Sequence, residues 1–324
     1  MNKLEKIYYA TKYWGLEYCY YILYDRIFHT DSANKFMYNY NSKISSDQYE
    51  IQLKKIYHME TGKKLDINNP RSFNEKIQWL KLHDTTLLKT KLTDKYMVRE
   101  WVEKKIGESY LIPLVGVFNS LEELDIDRLP EKFVLKANHG SGCNMIVNDK
   151  KKLDWTEVEK NFSKWMLINF AWVQGLELQY KDIKPLIVVE QYIENGGNNL
   201  FDYKIYCFNG KAKYIQVIGN RDIKNHTAKE AFYSVDWEKQ DFTLTYPRYE
   251  GENVKPKNLQ KMIEIAEELA KEFIYVRVDL YELDDGTIKF GEMTFTPASG
   301  FDIWKPEEMD IILGEMMELP TSGN

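Results

Sequence analysis

Residues 274–294 read IYVRVDLYELDDGTIKFGEMT, two strand-like runs around Asp284-Asp285-Gly286, a strong hairpin signal. A two-residue Asp285-Gly286 loop pairs Asp284 with Thr287, and the numbers of paired residues then sum to a constant. Asp279 lies opposite Glu292, and Arg277 opposite Thr294. Side-chain alternation puts Arg277 and Asp279 on one face of the first strand, and Glu292 and Thr294 on one face of the second. Two acids directly across a ladder repel each other and weaken it. A bound cation would remove the conflict, and magnesium held by one or two carboxylates implies substrate phosphates nearby. The competing reading is an exposed acidic hairpin, in which a one-residue slip separates the pair. The exit, TFTPASG over 294–300, is small and hydroxylated, unlike an ordinary hydrophobic strand end.

The rest of the chain mixes hairpins with helices. Residues 1–66 read as helical and irregular. Ser72-Phe-Asn-Glu75 is a capping box opening a helix with Phe73, Ile77 and Leu80 on one side. Thr93 is expected to cap the next helix, with Met97, Val98, Trp101 and Val102 as its stripe and Gly107 as its end. Strands are expected at 111–118, 133–137, 145–147 and 186–193, with a helix over 154–172. Asn209-Gly210 joins strands 203–208 and 211–218 in a hairpin, and 258–273 is an amphipathic helix. This order gives an α+β fold without a doubly wound parallel sheet.

With 324 residues there is room for about two domains or one multi-lobed enzyme. A net charge of −6 argues against a general nucleic-acid binder. Cys19, Cys143 and Cys207 are widely spaced and show no metal-ligand pattern, which fits a reducing cytoplasm. The aromatic N-terminus is broken by Lys12, Glu17 and Asp25 and lacks the apolar run of a signal peptide or a membrane span. It reads as a helical extension packing on the body, or as a peripheral contact with a membrane surface.

Lys136 ends the strand FVLKA and precedes Asn138-His139-Gly140-Ser141-Gly142. A lysine beside a glycine loop suits phosphates, since backbone N–H groups can approach and the ammonium supplies a point charge. The GxxxxGK[ST] spacing of a P-loop is absent. Lys95 and Arg99 follow Asp94; the plain reading is a solvated helix face. Asp202, Lys204 and Tyr206 share one face of a strand, fitting a ribose hydroxyl and a phosphate or simply an exposed sheet face. His139 has no partner at nucleophile–base spacing and suits phosphate or substrate contact.

In order, these elements resemble the ATP-grasp superfamily. They resemble most its TupA-like family, associated with bacterial surface polysaccharides such as teichuronopeptide, capsule and O-antigen. The matching phrases are RSFNEKIQWLKLHD (71–84), LTDKYMVREWVEKKIG (92–107), FVLKANHGSG (133–142), DYKIYCFNGK (202–211) and VRVDLY…FGEMTFTPASGF (276–301). The resemblance implies ATP held between two α+β lobes: 111–190 with the glycine loop and 191–305 with the metal site. A helical extension (1–66), a helical pre-lobe (67–110) and a C-terminal tail (306–324) flank them. Lys95, Lys136 and Lys204 would meet the phosphates with Gly140, Ser141 and Gly142 as a lid. Glu190, Gln191, Tyr192 and Ile193 would form the hinge strand reading adenine, and Asp202 would sit near the ribose. Arg277, with Lys136 and His139, would serve catalysis. Asp279, Glu292 and Thr294 would hold magnesium, Thr294 standing where the superfamily commonly has asparagine.

The implied activity is a carboxylate–amine ligase working through an acyl phosphate. Its partners would be a polysaccharide or sugar-precursor acceptor and a small amine or amino acid, with the acceptor near Arg221, His226 and the 297–304 loop. A sugar kinase on the same fold stays open. So does a non-enzymatic carbohydrate-binding or glycosyltransferase-associated protein, motivated by the 14% aromatic content.

Overall fold

The computed structural model describes residues 1–320 apart from 174, 196–199, 223–226, 245 and 252–253. The chain starts with helices α1 (Lys3–Phe28), α2 (Ser32–Asn41) and α3 (Tyr49–Thr61). Asn2 caps α1 in a capping box with Glu5, and Gly15 interrupts it with φ of 84°. The three helices share a small core of Ala10, Trp14, Met37, Ile56 and Met59. Among the described residues, no helix is long and apolar enough to cross a membrane.

Helix α4 (Phe73–His83) starts where the capping box places it, with Glu75 N donating to Ser72 Oγ (3.2 Å) and Ser72 N to Glu75 Oε2 (3.0 Å). Its neighbours are α5 (Leu87–Thr93) and α6 (Val98–Ile106). Thr93 does not cap α6. It is the last residue of α5, and its hydroxyl has no hydrogen-bond partner. Asp94 caps the 95–97 turn that leads into α6, accepting from Tyr96 N (2.8 Å) and Met97 N (3.2 Å), and α6 itself starts after Met97 without a side-chain cap. Lys95 therefore stands in a turn between two helices, not on one.

A four-stranded antiparallel sheet has the order β1-β4-β2-β3, built from β1 (Leu114–Phe118), β2 (Phe133–Ala137), β3 (Asn144–Val147) and β4 (Ile187–Gln191). Helix α7 (Trp155–Trp165) packs Val158 and Phe162 against its Phe133, Leu135 and Val147; it stops seven residues short of the expected end. A five-stranded antiparallel sheet, β7-β6-β5-β8-β9, comprises β5 (Asp202–Phe208), β6 (Lys211–Asp222), β7 (Thr227–Ser234), β8 (Tyr275–Glu282) and β9 (Ile288–Thr294). Asn209 (φ 48°) and Gly210 (φ 75°) make the left-handed pair that a tight hairpin between β5 and β6 requires.

Helix α8 (Leu259–Ala270) lays Leu259, Met262, Ile263 and Ala266 on one face of this sheet, against Ile205, Val276, Val278 and Leu280. The opposite face is charged at one end, with Lys204, Arg277 and Asp279. It is aromatic at the other, where Tyr206, Phe208 and Tyr275 pack on Phe73 and Trp304. Helix α9 (Met309–Glu315), in the segment expected to be a tail, packs Met309 and Leu313 into the same aromatic core.

The β8–β9 register holds the predicted pairs Asp279↔Glu292 and Arg277↔Thr294, but the turn is not the two-residue loop. Leu283 N donates to Thr287 O (2.9 Å) and Gly286 N to Leu283 O (2.8 Å), so three residues, Asp284 to Gly286, form the loop with Gly286 at φ 86°. Near the turn Glu282 pairs with Ile288 and Leu280 with Phe290, one position off the expected sum. The ladder then shifts between Asp279 and Leu280, where Gly291 is the extra residue, and the two displacements cancel.

Candidate functional site

The bulge decides what faces the site. Ile288 and Phe290 lie in the α8 core, as do Met293 and Phe295, so the inward parity changes across Gly291. Without that extra residue Glu292 would point into the core. A Cβ on Gly291 would lie 3.0 Å from Asp279 O and 3.1 Å from the Tyr281 ring, so any side chain there has to displace one of them by a few tenths of an ångström.

Arg277 organises the charged end of β8. It bonds Asp279 through Nε (2.7 Å) and Nη2 (2.9 Å), Glu292 Oε1 (3.2 Å) and Thr294 Oγ1 (3.1 Å). Lys204 adds ion pairs to Asp279 and to Asp202 (2.8 Å). The repulsion expected between Asp279 and Glu292 is thus met by the protein's own cations and does not by itself require a metal. Burial raises the Asp279 pKa against the pull of Arg277 and Lys204. Burial also pushes Glu292 up, but Lys204, Lys95 and Arg277 outweigh it and hold Glu292 at about 2. Glu292 is therefore an ionised carboxylate, and its side chain is 40% exposed to the space in front of it.

The glycine turn stands across that space. Ala137 N donates to Cys143 O (2.9 Å), closing residues 138–142 as the β2–β3 connection. Gly140 is buried under Phe170, whose ring would be 2.3 Å from an added Cβ. Asn138 ties the turn to the α5–α6 junction, its amide donating to Asp94 Oδ2 (2.9 Å) and its carbonyl accepting from Lys95 N (3.1 Å). Lys95 Nζ donates to Gly140 O, and burial lowers its pKa. Lys136 pairs with Glu190, which also receives Arg99 Nη1 (3.1 Å); Arg99 Nη2 donates to Ile112 O (2.9 Å). Arg99 is thus a brace between elements, not a solvated charge.

Two adjoining cavities lie over the charged end of β8 and β9, sharing Lys95, Val98, Ser141, Gly291 and Glu292 as their common wall. The smaller, about 200 Å³, is lined by Lys136, Gly142, Glu190, Asp202, Lys204 and Asp279, with Leu111, Ile112, Tyr281 and Phe290 as its apolar side. The larger, about 340 Å³, holds Arg277 and Thr294, with Phe170, Glu177, Tyr180 and residues 296–299 opposite. Most of the residues singled out in the sequence thus meet at one place.

His139 does not meet them. Its ring is buried, with Nδ1 facing Asn138 Oδ1 (3.1 Å) and Nε2 facing Trp165 O (3.1 Å), and it lines neither cavity. Burial lowers its pKa, and its two ring contacts tie it into the turn. Gln191, Tyr192 and Ile193 follow Glu190 but also line neither cavity. His226 lies outside the described residues, as does the side chain of Arg221.

Sequence reading missed Glu177, Tyr180 and Lys81. Lys81 is buried and donates to Gln78 Oε1 (3.0 Å), Gly175 O (2.6 Å), and the carbonyl (2.5 Å) and hydroxyl (2.8 Å) of Ser299. It fixes a segment in which Ala298, Ser299 and Gly300 all have positive φ (43°, 55° and 69°), a strained run placed at a cavity wall. Two lysines spaced by five in KIQWLK gave the only signal, and nothing in the spacing marks the inner one.

The donor set bears on a metal. Among the described residues no group of three His, Cys, Asp or Glu could hold one alone. Asp279 and Glu292 fit a magnesium that brings its remaining oxygens on a substrate phosphate. Thr294 donates to Glu292 Oε1 (3.2 Å) and accepts from Arg277, so its hydroxyl is engaged in orienting the acid.

The sequence model of the TupA-like ATP-grasp family matches residues 75–318, past the end expected at 305. Among solved structures, D-alanine–D-alanine ligase from Bacillus anthracis is 17% identical with a TM-score of 0.41, covering 69% of this chain and 66% of that one. An ADP complex of N5-carboxyaminoimidazole ribonucleotide synthetase is 17% identical with a TM-score of 0.40, covering 78% and 57%. One curated protein, the RecBCD enzyme subunit RecB of Buchnera aphidicola, is 24% identical over 253 residues, 72% of this chain. The chain spans about a fifth (21%) of that protein's length.

Proposed function

The chain belongs to the TupA-like ATP-grasp family, and on that premise we propose that it is an ATP-dependent carboxylate–amine ligase acting on a cell-surface polysaccharide or its precursor. The observation that carries this reading is the wall shared by the two cavities. There Glu292 and Lys95 stand between a lysine-rich chamber and a second chamber large enough for an organic substrate.

The smaller chamber takes ATP. Its apolar side receives the base next to Glu190, Asp202 reaches the ribose, and Lys136, Lys204 and Lys95 meet the phosphates with the 141–142 backbone. Asp279 and Glu292 would hold magnesium, which would neutralise phosphate charge when bound. A substrate carboxylate in the larger chamber attacks the γ-phosphorus, its oxygen forming a bond to phosphorus as the bond to ADP breaks. Arg277 lies at the junction and spreads the charge of the transferred group. The acyl phosphate is then attacked at carbon by an amine, releasing phosphate. Shielding by the glycine turn keeps water from the intermediate.

Use of ATP places this reaction on the cytoplasmic side. Exposed Leu4, Tyr8, Leu16, Tyr20 and Ile27 on α1 give a surface for contact with the membrane's inner face. The test of function is incubation with ATP, magnesium, a uronate-containing glycan and amino acids. ADP and an amide product are expected together, both lost in Glu292→Gln. ADP with a phosphorylated glycan would select a kinase, and absence of ATP binding by calorimetry would end the enzymatic reading.

A further inference from the structure

The larger chamber contains a carboxylate that the chemistry above leaves unused. Glu177 lines it, facing the wall that carries Arg277, Glu292 and Thr294. One oxygen accepts a hydrogen bond from Thr296 Oγ1, and Thr296 in turn accepts from Gln179 Nε2 (2.6 Å), so the carboxylate is held in one orientation. The simplest alternative role is as a structural ion-pair partner of Lys81. Lys81 is close enough to act on its charge, but its ammonium is bonded to Gln78, Gly175 and Ser299. Among the described residues Glu177 has no ion-pair partner within salt-bridge distance. The other titratable residues lining this chamber are Tyr180, Lys95, Arg277 and Glu292, and an anionic substrate or phosphate would occupy the cations.

We propose that Glu177 binds the ammonium of the amine substrate in this chamber and takes its proton before attack, an inference that rests on the ligase reading. A protonated amine has no lone pair for the acyl carbon. Transfer of one proton to the Glu177 carboxylate leaves a neutral amine and a carboxylic acid. The nitrogen lone pair then forms the C–N bond, the C–O bond to phosphate breaks, and phosphate leaves with that electron pair. The remaining extra proton on nitrogen passes to the departing phosphate. Burial raises the Glu177 pKa against the pull of Lys81 and Thr296, which makes it a better proton acceptor than an exposed carboxylate. The substrate class is a small primary amine or the amino group of an amino acid, fitting a chamber of about 340 Å³ that it shares with the acyl group.

Glu177→Gln keeps an oxygen for the Thr296 hydrogen bond and removes the charge. With ADP and magnesium present, calorimetry with ethanolamine should show saturable binding to the wild type, at least tenfold weaker binding to Glu177→Gln, and partial recovery in Glu177→Asp. Equal affinities, or no saturable binding to the wild type, would overturn the proposal. Turnover gives a second arm, using glucuronate as the carboxylate and hydroxylamine, which is largely neutral near pH 7, as an amine needing no base. Glu177→Gln should lose ethanolamine coupling by at least thirtyfold more than it loses hydroxamate formation. Wild-type coupling in that variant would overturn the proposal. Glu177-dependent ethanolamine binding without ADP release from any carboxylate would support the amine subsite while removing the ligase reading.

Discussion

Arg277 touches Asp279, Glu292 and Thr294 at once, so the two acids are balanced by a cation the sequence placed beside them. That much was legible, because strand alternation and the hairpin pairing together put these four residues on one surface. The roles of His139 and Arg99 were not. A histidine in a glycine turn gives the same string whether its ring faces a ligand or, as here, Asn138 and Trp165. Asp302 is a further residue no pattern exposed. It is buried, one carboxylate oxygen has no hydrogen-bond partner, and burial raises its pKa to about 7 despite Arg277 nearby. Because the folded state holds this proton more tightly than the unfolded chain, its contribution to stability is present in acid and is lost as pH rises from about 4 toward 7. Asp302→Asn should therefore unfold at higher urea than wild type at pH 8, by on the order of a few kcal/mol, with the gap closing near pH 4. A gap independent of pH would show that the Asp302 charge is not the cause.

Among the elements, the β8–β9 hairpin shows how a correct pairing can come from an incorrect turn. The sequence predicted Asp279 opposite Glu292 from a two-residue loop; the protein uses three loop residues and recovers the register with a bulge at Gly291. The signal was present in the apolar residues. Ile288 and Phe290 alternate on even numbers, Met293 and Phe295 on odd ones, and a glycine sits at the change. Gly291→Ala must push against the Asp279 carbonyl, which β8 holds between β5 and β9. We expect a loss of about 1 kcal/mol or more in chemical denaturation and weaker nucleotide binding, since the strain falls on the Asp279–Glu292 pair. Unchanged stability and binding would mean that the bulge tolerates a side chain. The Asn209-Gly210 and Ser72–Glu75 elements followed from sequence more simply, because local backbone demands alone fix them.

At the scale of the whole molecule, the smaller chamber is lined from both antiparallel sheets, and the larger is closed over β8 and β9 by α5, α6, the glycine turn and the 170–180 and 296–299 segments. The order of motifs foreshadowed this. Of the second chamber only the wall at 297–299 was foreshadowed, within the 297–304 loop; Glu177 and Tyr180 reach it from a distant part of the chain without a shared pattern. One consequence concerns metal binding. With Asp279 bonded to Arg277 and Lys204, the acids alone are a poor cage, so manganese should bind in the presence of ATP and only weakly without it. Paramagnetic resonance of free manganese measures both cases, and tight binding to the nucleotide-free protein would contradict a phosphate-borne metal.

The central claim is that a carboxylate becomes an acyl phosphate in the chamber beside Arg277 and Glu292. Isotope transfer tests it most directly. Glucuronate labelled with oxygen-18 in its carboxylate is incubated with ATP, magnesium, an amine and the protein, and the inorganic phosphate released is examined by mass spectrometry. One labelled oxygen per phosphate is expected, because the oxygen that attacks phosphorus leaves with it. ATP cleavage that yields amide with wholly unlabelled phosphate, or labelled glycan carrying a stable phosphate, would contradict it.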